Sequence, residues 1–206
     1  EFTNGAKSIP INGLVWMGEE SFMKQQIEEK LAQGFRCIKL KIGAIDFDKE
    51  LQLLRYIREH FTPEQVEIRV DANGAFDENI ALYKIKQLSG FKLHSIEQPI
   101  QKNNTDSMSE LCKTTPIPIA LDEELIGVFS FREKELLQKI KPQFIILKPS
   151  FIGVFKGTKE WILLAEKYKI GWWITSALES NIGLNAIAQW TFLQHNLMPQ
   201  GLGTGA

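Results

Sequence analysis

Histidine and cysteine, the usual ligands of zinc, are scarce here: three and two among 206 residues. Cys37 and Cys112 stand far apart and fit no CxxC or zinc spacing, so they read as reduced core thiols of a cytoplasmic protein. His60, His94 and His195 share no helical pair spacing and read as surface or hydrogen-bonded side chains. An excess of one charge is lacking too. Lys and Arg number 24 against 25 Asp and Glu, which argues against a nucleic acid or an anionic membrane as partner. No apolar run approaches the about 20 residues that span a bilayer. The chain opens on no charged-then-apolar leader, and no linker, low-complexity tract or long charge run interrupts it. The Gly-rich phosphate loop of dinucleotide-binding folds is also missing: the first apolar run is followed by Met17-Gly18-Glu19-Glu20.

What the sequence does contain is alternation. Hydrophobic residues make up 44%, enough for a folded core, and a chain this long buries about 70% of its unfolded surface without staples. Short β-branched and apolar runs fall at residues 11–16, 37–42, 66–70, 93–96, 117–121, 144–147 and 172–175. Between them lie stretches of helical period. Phe22, Ile27 and Leu31 share one face of the first, and Leu51, Leu54, Ile57 and Phe61 one face of the second. Asp77 is placed to cap the third helix and Gly90 to end it. Ser130 with Glu133 reads as a capping box for the fifth, and Gly171 as the end of the sixth. Residues 106–112 and 184–193 supply the fourth and seventh.

Seven strand-then-helix units imply a parallel sheet with right-handed crossovers. Without a phosphate loop, a closed (β/α) barrel is favoured over an open doubly wound sheet. A complete barrel of this kind takes about 250 residues and an eighth strand. The chain starts almost on a strand and stops at Gly201-Leu202-Gly203-Thr204-Gly205-Ala206. The expectation is one catalytic barrel domain over residues 1–206, truncated at both ends, with its eighth strand missing and the edges of strands one and seven open. Trp172 and Trp173 are adjacent on a strand, so they point to opposite faces and read as packing residues.

Ionisable residues are costly in buried strands, yet this chain places them there repeatedly. Strand two reads Ile38-Lys39-Leu40-Lys41, with both lysines on one face. Strand three ends Arg69-Val70-Asp71-Ala72-Asn73, and strand four ends Ser95-Ile96-Glu97-Gln98-Pro99. Strand five runs into Asp122-Glu123-Glu124, and strand six into Lys148-Pro149-Ser150. From Lys41 the steps to Asp71, Glu97, Asp122 and Lys148 are 30, 26, 25 and 26 positions, one βα unit each. All five therefore emerge at the C-terminal ends of consecutive strands, where barrel enzymes build their sites. Three carboxylates without histidine or cysteine form a hard-oxygen set, suited to Mg²⁺ or Mn²⁺. A lysine beside a divalent cation and a second lysine has its neutral form favoured and can act as a base near neutral pH. Such parts suit removal of a proton beside a carboxylate.

Lys39-Leu40-Lys41, Asp71, Glu97, Asp122-Glu123 and Lys148-Pro149-Ser150 resemble the muconate-lactonizing-enzyme subgroup of the enolase superfamily. Arg69 to Gly74, Ser95 to Pro99, Thr175 to Ser180 and Gly201 to Gly205 extend the resemblance to the end of the chain. It implies a modified (β/α)7β barrel with Mg²⁺ held by Asp71, Glu97 and Asp122. It implies Lys41 as the base, Lys148 opposite it stabilising the enediolate, and Lys39 tuning Lys41 or meeting the substrate carboxylate. Arg69, Asn73 and Glu123 are expected to support the ligands, and Thr175, Ser176 and the Gly201 backbone to receive a second carboxylate of a small-molecule substrate. Members of the subgroup also carry an N-terminal capping domain, which is expected to lie outside residues 1–206. Dehydration of a cyclohexadiene carboxylate is the expected reaction, with racemisation or epimerisation as the alternative. Dipeptide epimerases carry Asp-x-Asp on the eighth strand, and residues 201–205 contain none.

Overall fold

The computed structural model describes residues 4, 5 and 7–203. Thr204, Gly205 and Ala206, the end of the C-terminal Gly-rich segment, lie outside the described residues. Seven parallel strands follow the chain in order: β1 Gly13–Val15, β2 Cys37–Lys41, β3 Glu67–Asp71, β4 Ser95–Glu97, β5 Ile119–Leu121, β6 Phe144–Leu147 and β7 Gly171–Ile174. The helices between and after them are α1 Glu20–Ala32, α2 Phe47–His60, α3 Glu78–Leu88, α4 Thr105–Thr114, α5 Arg132–Ile140, α6 Val154–Tyr168 and α7 Asn181–Phe192. Each expected run thus became a strand and each periodic stretch a helix. No helix among the described residues is long and apolar enough to cross a membrane.

The eighth strand position is not empty, which corrects the expectation of open edges. Gln200 bridges Ile11 just before β1, and Gly201 bridges Thr175 just after β7, both parallel. Four backbone hydrogen bonds hold this segment: Gln200 N–H to Pro10 O, Asn12 N–H to Gln200 O, Gly201 N–H to Ile174 O and Ser176 N–H to Gly201 O. Two residues are enough to join the edges because the Gln200 side chain adds to the ladder. Its carbonyl accepts from Ile174 N–H at 2.7 Å, and its amide donates to Met198 O at 2.6 Å. Gly201 is required at this joint, because a Cβ there would stand 2.3 Å from the Thr175 hydroxyl oxygen.

Side-chain alternation sorts the strands into two environments. Ile38, Leu40, Ile68, Val70, Ile96, Leu121, Ile145, Leu147, Trp172 and Ile174 pack outward against the helices in the main core. The opposite parity faces the barrel interior, where Ala120, Ile146 and Trp173 form a small apolar plug with Phe144 and Met198. The two tryptophans do face opposite sides. Both cysteines are buried and unpaired, and burial pushes the Cys112 thiol up to about 12, so neither is poised to react.

Local signals succeeded where one residue acts on its own neighbours. Asp77 caps α3, its carboxylate accepting from Asn79 N–H. They failed where backbone conformation intervened. Ser130 has a left-handed φ of 66° and lies two residues before α5, whose cap position is taken by Phe131 without a side-chain bond. Gly171 does not end α6, which stops at a left-handed Lys169. Gly171 opens β7, and the Phe144 ring lies 2.4 Å from where a Cβ would be. On α1 the buried face is Met23 and Ile27, whereas Phe22 is half exposed; its ring rests against Gly18.

Candidate active site

Lys39 and Lys41 from β2, Asp71 from β3 and Glu97 from β4 point into the upper part of the barrel. The register explains why: Lys41 pairs with Asp71 and Asp71 with Glu97 across adjacent strands. Lys39 Nζ sits 2.9 Å from Asp71 Oδ2 and 2.5 Å from Glu97 Oε2. Lys41 Nζ reaches the same Asp71 oxygen at 2.9 Å and Asn73 Oδ1 at 2.8 Å. Lys148, on the residue after β6, forms a short ion pair with Asp122. Three buried carboxylates need countercharge, and three ammonium groups supply it.

Asp71 and Glu97 therefore converge on Lys39, and Asp122 turns to Lys148. Among the described residues, no group of three His, Cys, Asp or Glu side chains surrounds a single point as a bound ion requires. Glu97 Oε1 is buried with no hydrogen-bond partner, as is Glu123 Oε2.

The electrostatics follow from burial and pairing. Burial works against the Lys39 ammonium, but Asp71, Glu97 and Asp122 outweigh it and raise its pKa. Lys148 is raised in the same way, burial being overcome by Asp122 and Glu97. For these two lysines the neighbouring carboxylates dominate over the neighbouring lysines. Burial raises the Asp71 carboxyl, yet Lys39 and Lys41 together bring it below the usual range. Glu97 moves the other way, raised by burial and by the Asp71 charge beside it.

Asn73 and Glu123 join the cluster as expected. Asn73 accepts from Lys41, donates through Nδ2 to Glu123 Oε1 at 2.9 Å, and donates its backbone N–H to Asp71 Oδ1 at 3.0 Å. Arg69 does not join. It is one register step deeper, where it pairs with Glu67 at 2.7 Å and donates to Pro199 O at 2.9 Å. Its guanidinium lies 4.1 Å from the Trp173 ring centre. Parity gave its face correctly, but depth in the barrel separates it from the mouth, and it braces the closing segment instead.

A cavity of about 320 Å³ opens beside the lysines. Lys39, Lys41 and Lys148 line it together with Thr175, Ser176 and Gly201; the Gly201 N–H, expected to receive a carboxylate, is instead given to Ile174 O, so its backbone offers no donor there. The Thr175 hydroxyl is buried and unpartnered. Sequence reasoning missed Asn12, Leu14, Trp16, Phe151 and Leu178, which complete the wall. The first three alternate along strand one, so their shared face was legible. Trp16 also lies under Lys41, with Nζ 5.8 Å from its ring centre.

The enolase C-terminal domain-like family matches residues 23–204. The chain belongs to that family. It is 60% identical to the o-succinylbenzoate synthase of Desulfotalea psychrophila, a match covering 100% of this chain and 56% of the relative. The crystal structure of MenC from Desulfotalea psychrophila LSv54 superposes with a TM-score of 0.92 at 59% identity, covering 99% of this chain and 56% of that one. An N-succinylamino acid racemase of Thermus thermophilus is 30% identical over 76% of this chain and 40% of its own length. The chain thus spans about half the length of the curated relatives it matches.

Proposed function

We propose that this enolase-type barrel carries the catalytic groups of a lyase that dehydrates 2-succinyl-6-hydroxy-2,4-cyclohexadiene-1-carboxylate to 2-succinylbenzoate, the step that feeds menaquinone biosynthesis. The observation that carries the reading is the pair Lys41 and Lys148. They stand four strands apart in a ring of eight, on opposing sides of three buried carboxylates, and line one cavity with Thr175, Ser176 and Gly201. The 60% identity to a named synthase supports dehydration within the family.

Asp71, Glu97 and Asp122 suit a divalent metal, Mg²⁺ or Mn²⁺: every donor is a carboxylate oxygen, and Glu97 Oε1 is buried without a partner. A metal held by these three carboxylates would supply positive charge against the negative charge that develops on the substrate carboxylate. The rest falls to the side chains. Lys41 Nζ takes the proton alpha to the carboxylate. Asn73 and Asp71 hold that nitrogen in place. The same Lys41 then returns the proton to the departing hydroxide, so one water leaves and the ring becomes aromatic. Lys148 stays protonated across the ring and balances the developing charge. Lys39 stays charged between Asp71 and Glu97. Thr175 Oγ1 and the Ser176 hydroxyl receive the succinyl carboxylate, and Gly201, whose N–H is already given to Ile174 O, makes room for it by lacking a side chain.

A racemase acting on N-succinylamino acids is the second reading, favoured by the Thermus thermophilus relative and by the same two lysines on either face. Assaying the full-length protein on the cyclohexadiene substrate and on a panel of N-succinylamino acids and dipeptides separates the two. Dehydration should dominate, and Lys41→Ala should lower it by about 10² to 10⁴ while Mg²⁺ binding persists. Racemisation without dehydration, or a Lys41→Ala enzyme of normal turnover, would overturn the reading.

A further inference from the structure

Gln98 follows Glu97 directly, yet its side chain turns to the next strand. The residue is fully buried and its backbone has a left-handed φ of 36°, a conformation that a non-glycine residue adopts at a cost. That turn aims the amide between the ends of β4 and β5. Its Oε1 accepts from the backbone N–H of Asp122 at 3.2 Å and of Glu124 at 3.3 Å. Its Nε2 donates to Ile100 O at 3.1 Å and to Glu124 Oε2 at 3.2 Å. Both lone pairs and both protons are used, so the amide has one allowed orientation. The backbone of Gln98 is engaged as well, donating to Ala120 O at 2.9 Å and accepting from Gly74 N–H at 2.7 Å.

We propose that Gln98 is a positioning residue that sets the spacing and aim of the Glu97 and Asp122 carboxylates, an inference that rests on the metal-dependent reading above. Glu97 is fixed because its successor is locked. Asp122 is fixed because its own N–H is held by that successor. Glu124 completes the clamp, its other oxygen accepting from Asn103 N–H at 3.2 Å. No catalytic contact is assigned to Gln98; it acts through the two acids it separates.

The polarity of the clamp can be inverted, which gives a rescue test. Gln98→Glu keeps the acceptor for Asp122 N–H but sets a carboxylate against Glu124 and Ile100 O. Gln98→Glu combined with Glu124→Gln restores a donor opposite the new carboxylate, and the carbonyl of the amide introduced at position 124 can still accept from Asn103 N–H. Mg²⁺ alone is titrated calorimetrically into the full-length protein and its variants, with metal-free thermal melting as the check on folding. Gln98→Glu should weaken Mg²⁺ binding by about 10- to 100-fold, and the double variant should recover most of it. Gln98→Met, apolar and of similar length, should also weaken it. Folded Gln98→Glu and Gln98→Met proteins that bind Mg²⁺ as tightly as the parent overturn the proposal and leave the metal reading standing. A double variant no better than Gln98→Glu also overturns it. A parent that binds no Mg²⁺, or an Asp122→Asn variant that binds it undiminished, overturns the metal reading and this proposal with it.

Discussion

Lys39 is the side chain on which Asp71 and Glu97 converge. It is buried, and it bridges Asp71 and Glu97, whose charges otherwise face each other in a region of low polarity. Removing one partner of a buried ion pair leaves an uncompensated charge, at a cost of about 3–5 kcal/mol. Lys39→Met should therefore destabilise the metal-free protein by that order, as read by urea unfolding. Mg²⁺ should restore much of the loss, because a cation held by the same carboxylates replaces the missing charge. A Lys39→Met protein as stable as its parent without metal would show that the two acids do not need this ammonium. Lys41 differs in that it shares Asp71 with Lys39 and is held additionally by Asn73.

The closing segment is the element with the most consequence for its size. Two backbone bridges and the side chain of Gln200 do the work of a strand, and Arg69 braces it through Pro199 O. Gln200→Ala leaves the buried Ile174 N–H without an acceptor, which costs about 1–3 kcal/mol. Urea unfolding should report that loss, whereas Gln189→Ala on the exposed face of α7 should stay within about 0.5 kcal/mol of the parent. Equal stability of the two variants would mean that the backbone bridges alone close the barrel. The same segment forms the Gly201 wall of the cavity, so loosening it is expected to disturb the Thr175 and Ser176 side of the site as well.

Across the whole molecule, one shell of apolar side chains lies between strands and helices while charge is gathered inside the barrel mouth. A ligand that binds only the folded barrel stabilises all of it. At 100 times its dissociation constant, Mg²⁺ should add about 2.7 kcal/mol to the full-length protein. The melting temperature should rise with Mg²⁺ and return on chelation with EDTA, and Asp71→Asn should abolish the rise. A melting temperature indifferent to Mg²⁺ while turnover requires it would place the metal outside this cluster.

The strand-helix order, the barrel and the strand-end positions of Lys41, Asp71, Glu97, Asp122 and Lys148 were all legible in the sequence. Buried parallel strands are apolar, so ionisable residues recurring once per βα unit stand out against them, and alternation decides which face they share. Asn73 and Glu123 were legible for the same reason, lying next to those positions. Partnership was not. Whether Asp122 turns to Lys148 or toward Glu97, and whether Arg69 reaches the mouth or Pro199, 130 residues away, depends on depth and curvature of the closed barrel, which no local pattern encodes. Gln98 looked like an ordinary residue before a proline until the fold set its amide against the end of β5. Tertiary structure also decided closure: Gln200 and Gly201 make no strand pattern of their own, and they complete the ring because β1 and β7 arrive on either side with unpaired backbone groups.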